Sequence, residues 1–584
     1  MFAKLALPAI ALLLSVACAA SRSPGTKGAT AAAGSPFPDA EALTKLAAAP
    51  PPASSFYGQI KEVDTWTLQG PFPDSLAYVP HAYDAGWAKP FADAIVARPG
   101  AYLPSEAMYC TAREVGLFYL AHDAHPGLGL KEFIASRCGS PSAPPQIQTL
   151  SAKVDDKISD ERLLQNWQQR LSDGVKTRLG SGNRYVGMWF GRKDGKAVLI
   201  LTSAERLLFV EQTHPQPDAK GVVHLRGEVT GAFEKVRALV TRGAYGVSEC
   251  TVDRAVRMPA FAIDCPTTAS DKVAWIELAG FPTGRILGTP LMSLFVWPSG
   301  AAPVTFVRPR YAAGKAASTS EALASDLLTL LNETRAKAGL KPLKPAAEQS
   351  ATATRVVPHY FAAIAGDLSP LVADTVALGL QAGWQVRGLV QTGRFASGLV
   401  SNAADVGDLL AAFLERPSGR DVLLAPNAAL IAIGPLVAED GKVLAALVSS
   451  YDLFDVQSHE QTALAVRLRL DQQRRANGKG PAGDLSRALP LVTNAASLLE
   501  SGRVDEQQVM DDMMHTASAS LTGRFYGWMA GASSLEAIQF PKELLTRGKI
   551  DVAVAVAFYR AAGQPWGHYV AFFLVMEPDV GEGV

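Results

Sequence analysis

Nine histidines and five cysteines are the side chains of this 584-residue chain best suited to metal binding or proton transfer. His122-Asp123-Ala124-His125 sets two imidazoles at i and i+3, a spacing that can present two metal ligands on one helix face. The same run enters Pro126-Gly127, so a solvated helix end competes with the metal reading. His515 and His568 stand in a later stretch without an acidic pair at matching spacing. Arg394 and Arg420 are candidate contacts for an anionic ligand, with surface ion pairs as the alternative. No G-x-S-x-G, H-E-x-x-H, phosphate loop or G-x-G-x-x-G occurs in a supporting context, and no Cys/His spacing suggests zinc. Neither a cofactor nor a resident metal is expected. Lys+Arg and Asp+Glu are equal at 55 each, with no basic stripe interleaved with aromatics, so nucleic acid is not an expected partner.

The elements that would position these residues show as a repeat. Tyr185 to Ser203, Leu430 to Ser450 and Val552 to Val575 each read as an apolar strand, a polar or glycine-containing turn and a second apolar strand, with Asp-Gly-Lys at 194–196 and 440–442. Ahead of the second and third hairpins, LNETRAKAGLKPL from Leu331 aligns with LDQQRRANGKGPA from Leu470. Both spell a helix stop: basic residues in the last turn, Gly339 or Gly478 as a left-handed cap, then Pro342 or Pro481. Gly393-Arg394-Phe395 recurs as Gly523-Arg524-Phe525. Residues 215–312 differ, with short β-forming runs every ten to fifteen residues between Gly and Pro, which predicts an antiparallel β-sandwich. Residues 56–105 give no clear period and stay unassigned.

Leu327 to Leu343, LLTLLNETRAKAGLKPL, resembles the opening helix of bacterial members of the CAP superfamily, the cysteine-rich secretory, antigen 5 and pathogenesis-related proteins. Asn332, Arg335, Gly339, Pro342 and Leu343 match the family pattern, and RPSGRDVLLAPN from Arg416 to Asn427 looks like its Ser-Pro-Gly-His-Arg segment. The likeness spans 320–455, with a second diverged copy at 462–578 and a weaker one at 106–210. It implies an α+β chain: two to three degenerate CAP-like α-β-α sandwich units beside the β-sandwich. The family groove often holds two histidines and two acids. Here their places fall on Val356, Gly388 and Gly419, and a slip of one turn brings His359 to the groove instead.

The resemblance therefore points to a non-catalytic protein that binds a lipid, peptide or glycan of the envelope or exterior. A metal-dependent hydrolase centred on His359 or on His122 and His125 is the rival, and a purely architectural role is a third reading.

The first residues bear on location. Lys4 precedes an apolar run from Leu5 to Val16, and the small residues at 17–20 follow, which is the pattern of a signal segment and too short to span a bilayer. Leu14-Ser15-Val16-Ala17-Cys18 resembles a lipobox, making Cys18 the expected lipidation site and a lipid anchor the expected membrane contact, whereas ordinary cleavage at Ala17-Cys18-Ala19 would leave no anchor. An outer-membrane lipoprotein or an extracellular protein is the expected form. Residues 19–55, rich in Ala, Ser, Gly and Pro, read as a flexible tether. In an oxidising compartment Cys110 is expected to pair with Cys138 and Cys250 with Cys265, free buried thiols being the alternative. Mass spectrometry of the mature N-terminus is expected to find an acylated Cys18; an unmodified start at Ala20 excludes the anchor.

Overall fold

The computed structural model describes residues 37–577 except 53–59, 74–101, 143–144, 156, 180–183, 269–272, 284–286, 299–300, 312, 366, 402–404, 439–440, 455–458 and 562–563. The expected signal segment 1–18 with Cys18, residues 19–36 and 53–55 of the expected tether, and 56–59 and 74–101 of the unassigned stretch lie outside the described residues. The described residues divide into two compact units, one of Ala40–Gln381 with Arg394–Ser450 and one built on 382–393 and 451–577.

The larger unit opens with α1 (Ala40–Ala48), inside the stretch read as a tether. Alanine favours helix, and Leu43 and Leu46 give this short one an apolar stripe; Leu43 is buried with Val356, Val357 and Phe361. After β1 (Ile60–Lys61) and β2 (Thr65–Thr67) come β3 (Tyr102–Pro104), α2 (Glu106–His122), β4 (His125–Pro126), α3 (Leu128–Arg137), β5 (Gln146–Lys153), α4 (Asp160–Leu179), β6 (Arg184–Lys193) and β7 (Lys196–Glu205). The first sheet runs β3-β6-β7-β5, with β3 parallel to β6. Its hairpin turns on Asp194 and Gly195, at φ 50° and 69°, because a two-residue loop must match the strand twist. Alternate residues of β7 feed two cores: Val198 and Ile200 pack with α2 and α3, and Leu199 and Leu201 with α4. Cys110 of α2 is bonded to Cys138, just past α3.

Strands β8 (Leu208–Val210), β9 (Val222–Val229), β10 (Phe233–Arg242), β11 (Gly246–Glu249), β12 (Thr251–Val252), β13 (Ala260–Pro266), β14 (Ala274–Pro282) and β15 (Thr289–Val296) form two antiparallel sheets, β12-β13-β9-β8 and β11-β10-β14-β15. Val223, Leu225 and Ile263 of the first share one core with Ala238, Val240, Ile276 and Leu294 of the second. Cys250, between β11 and β12, is bonded to Cys265 of β13. β16 (Thr305–Val307) pairs antiparallel with β2, so the unassigned stretch supplies three short strands, β1, β2 and β3, to three different pairings.

The central elements are α5 (Ser320–Lys337), β17 (Lys344–Pro345), α6 (Ala347–Ala365), α7 (Pro370–Ala382), β18 (Val390–Ser401), α8 (Val406–Leu414), α9 (Pro417–Leu423), β19 (Ala428–Ala438) and β20 (Val443–Leu453). The smaller unit holds α10 (His459–Ala476), β21 (Gly483–Asp484), α11 (Leu489–Glu500), α12 (Glu506–Ser520), β22 (Arg524–Ala532), α13 (Lys542–Thr546), β23 (Asp551–Tyr559) and β24 (His568–Glu577). Their sheets run β17-β19-β20-β18 and β21-β23-β24-β22, each again with a short first strand parallel to the third. Leu444, Ala446 and Val448 of β20 pack with α5 and α8, while Ala445 and Leu447 pack with α6 and α7. In the last sheet Phe572 and Leu574 pack with α11 and α12, and Phe573 and Val575 with α10 and α13. The chain is mixed α and β with several small sheets.

One buried arginine organises each of the last two sheets. Arg335 of α5 donates through Nε to Lys341 O (2.7 Å), and its terminal nitrogens reach Leu423 O (2.7 Å) and Ala425 O (3.1 Å). Arg474 of α10 does the same through Nε to Gly480 O (3.0 Å) and on to the carbonyls of Leu544, Arg547 and Gly548. Neither side chain is exposed. Asn332 and Asp471, one turn earlier, accept from the Leu343 and Ala482 amides at 2.8 Å each, and Gly339 and Gly478 end the helices at φ 72° and 70°. Arg335→Met takes the guanidinium donors from three carbonyls, of which Ala425 O keeps the long Ala428 amide contact (3.4 Å), and the urea transition of the full chain is expected to show a loss of about 3–5 kcal/mol that Arg335→Lys restores only in part.

Candidate functional site

The centre of the middle sheet was the expected groove. Val356 lies one turn before His359 on the buried side of α6, fully buried among Val357, Phe361, Val376, Leu380, Ala445 and Leu447. His359 is 4% exposed, and neither ring nitrogen has a hydrogen-bond partner. It is a packed core imidazole with no carboxylate to orient it, so the structure corrects its reading as a groove contact: α6 turns it inward with its apolar neighbours. Gly388 precedes β18 at φ 111°, a conformation side chains resist. Gly419 sits in α9, where an added Cβ would stand 1.9 Å from the Phe413 carbonyl oxygen. The close approach of α9 to the end of α8 leaves no room there for an imidazole.

Arg420 is likewise buried and engaged within the protein. It is 6% exposed and donates to Leu414 O (2.7 Å), Gly243 O (3.0 Å), Gly246 O (2.8 Å) and Tyr311 Oη (2.9 Å), pinning α9 to the β10–β11 turn. Apart from Leu414, those acceptors lie in a distant part of the sequence, which is why the residue reads as free. Arg394 on β18 is half-buried and already engaged.

The histidine pair of the first sheet does not converge. His122 packs against Phe118 and Trp66, with ring centroids 4.5 and 5.3 Å away. His125 packs against Tyr119, and its Nε2 lies 3.2 Å from Thr149 Oγ1. Burial, helped by Lys131, pushes the His125 pKa down to about 4, so its ring is neutral at physiological pH. In the smaller unit His515 is exposed, and His568 Nε2 lies 3.3 Å from Glu506 Oε1. Sequence spacing missed a second pair: His459 Nε2 lies 2.5 Å from Glu500 Oε1, which also accepts the Phe558 amide (2.9 Å). Among the described residues no three His, Cys, Asp or Glu side chains are placed to share a metal ion.

The densest chemistry lies elsewhere, around Arg308, whose side chain is 2% exposed. Its Nε reaches Glu415 Oε1 (3.1 Å), Nη1 reaches Asp408 Oδ1 (2.6 Å), and Nη2 donates to Asp408 O (3.0 Å). Glu62 Oε2 lies 3.7 Å from Nε. Asp408 serves twice, since its other oxygen accepts the Asp405 amide in the capping box that starts α8. Beside this group Arg416 Nε meets Glu277 Oε1 at 2.6 Å, and Glu277 Oε2 accepts the Ser418 amide at 2.9 Å. Glu132 of α3 is 1% exposed, and neither of its oxygens makes a hydrogen bond. Burial raises Glu62 and pushes Glu132 and Glu415 up to about 7.

No family model matches the chain, and no curated protein matches it. A solved structure that is similar in part is a cysteine-rich secretory protein from Staphylococcus aureus subsp. aureus Mu50, at 10% identity and a TM-score of 0.17 over 42% of this chain and 84% of that one. A score that low assigns no fold.

Gly419→Ala tests whether packing excludes a side chain at that place. Its Cβ would meet backbone rather than a movable side chain, and a loss of about 3 kcal/mol is expected by thermal or urea denaturation.

Proposed function

We propose that the chain is an exported, non-catalytic binding protein built from three degenerate CAP-like units, each a sheet between helical layers, and one β-sandwich. The observation that carries this reading is the doubled arginine frame: Arg335 with Asn332, and Arg474 with Asp471, hold equivalent carbonyls and amides on sheets of the same strand order. Beside that retained frame, Val356 and Gly419 stand where the family places histidines. A valine side chain and a glycine supply no imidazole to hold a metal or move a proton there. The shared strand order of the first sheet supports its inclusion as the third unit. Two disulfides support an oxidising compartment, and Cys18 is the proposed anchor that holds the protein at the envelope. The ligand class remains a lipid, a peptide or a glycan.

Purified full-length chain is expected to hydrolyse neither peptide nor glycan substrates and to be indifferent to chelators. Co-purification from solubilised envelope is expected to recover a defined partner. Turnover abolished by a chelator would overturn the non-catalytic reading.

A further inference from the structure

The charges around Arg308 do not balance. Among the described residues, Glu62, Glu132, Glu277, Asp408 and Glu415 supply five carboxyls, against three cations, Lys131, Arg308 and Arg416; Arg310, which also acts on Asp408, is paired with Asp64, and the Tyr311 hydroxyl acts on Glu415. Apart from Arg308, which follows β16, and Lys131 and Glu132 of α3 itself, three parts of the larger unit contribute them. Glu62 lies between β1 and β2 and Glu277 on β14, while Asp408, Glu415 and Arg416 belong to α8 and the start of α9. Glu62 and Glu415 close on the first turn of α3, and Glu277 and Arg416 act on Glu132 one turn on. A Cβ added to Gly127, its N-cap, would stand 2.1 Å from Glu62 Oε2, and one added to Gly129 would stand 2.3 Å from Glu415 Oε2. Glycine at both places lets the helix start seat directly on carboxyl groups, and its partial positive charge favours them there.

Among the described residues, with Glu62 also offset by Lys131, two of the five have no full counter-charge. Glu415 shares Arg308 with Asp408 and Glu62. Glu132 faces Arg416, Glu277, Lys131 and the Ser293 hydroxyl, but Arg416 is already held by Glu277. An ionised carboxylate buried without a partner is costly, and a protonated one is tolerated.

We propose that this junction is a proton-dependent clasp on α3, closed while its two surplus carboxyls carry protons and loosened when they ionise. The sign follows from linkage. Glu132 and Glu415 titrate at about 7 when closed, against 4.5 for an ordinary glutamate. Between those values the closed form binds more protons than the open form, so closing weakens as pH rises through 7 and this contribution is gone above it. Burial also lowers the Lys131 pKa, which works in the opposite sense at alkaline pH, so the carboxyls must be isolated by substitution. The clasp needs no ligand to operate.

Hydrogen exchange on the full-length chain tests it, with rates corrected for the intrinsic effect of pH. Between pH 6 and pH 9 the opening of peptides covering α3 is expected to increase about tenfold to a hundredfold in the wild type. The Glu132→Gln/Glu415→Gln variant, which fixes both groups neutral, is expected to stay protected at both pH values. Wild-type protection of α3 that does not change with pH, or an equal loss in the double variant, overturns the proposal. So does a loss that is uniform over the chain, including β23 and β24, since that is general alkaline unfolding. Should the double variant not fold, Glu132→Gln alone is expected to reduce the pH response of α3, and an unreduced response overturns the clasp.

Discussion

Everything in the middle and last sheets rests on a guanidinium buried among backbone carbonyls. After α5 and α10 the chain turns sharply, and before the third strand of each sheet a second loop approaches the same helix end. Both loops direct carbonyl oxygens inward, where water cannot satisfy them. Arginine suits the task because its planar fork donates in several directions and its charge is delocalised; a lysine ammonium is one compact point. The helix end, the two-residue parallel strand and the hairpin are thereby fixed together, and the apolar cores on both faces of the sheet form on a frame already in register. The same solution in α5 and α10 makes the two sheets alike where overall sequence does not.

The junction around Arg308 answers a different demand. The first sheet and the paired β-sheets share an apolar core in which Phe133 meets Phe295 and Trp297, and beside it elements of the middle sheet join them through charged side chains. Arg308 touches carboxylates from two of them, which places it at the electrostatic centre of the junction. A junction of this kind is less cohesive than a core and more sensitive to proton activity, since its strength depends on which carboxyls are neutral. The histidines, by contrast, are dispersed: one is buried in the core, two stack on separate aromatic groups, and others sit in isolated carboxylate pairs.

What could be read from sequence was what depends on neighbours in the chain. The left-handed caps at Gly339 and Gly478, the Asp194-Gly195 turn and the two local cysteine pairs all follow from residues within about thirty positions. Side chains whose partners lie far away could not be read this way. Arg420 resembled a free surface cation because its acceptors at Gly243 and Gly246 are 177 and 174 residues earlier, and Arg308 gave no signal because Asp408 and Glu415 are 100 and 107 residues later. His359 was ambiguous for a related reason: periodicity puts it near Val356 but does not say whether a polar partner waits there. Helix α1 was hidden by composition, since Ala-rich segments suit a tether and a helix equally until Leu43 finds a core.

The two disulfides have a consequence for how the chain is made. Beyond Cys18, the thiols emerge from the ribosome in the order 110, 138, 250, 265, and each bond joins one cysteine to the next. An oxidant that couples thiols as they appear would produce the native set directly, without a reshuffling step. Cys18 is the one residue that breaks this order. Left as a free thiol it would meet the oxidant first and compete for Cys110, so acylation or removal of that residue would also protect the fidelity of everything oxidised after it.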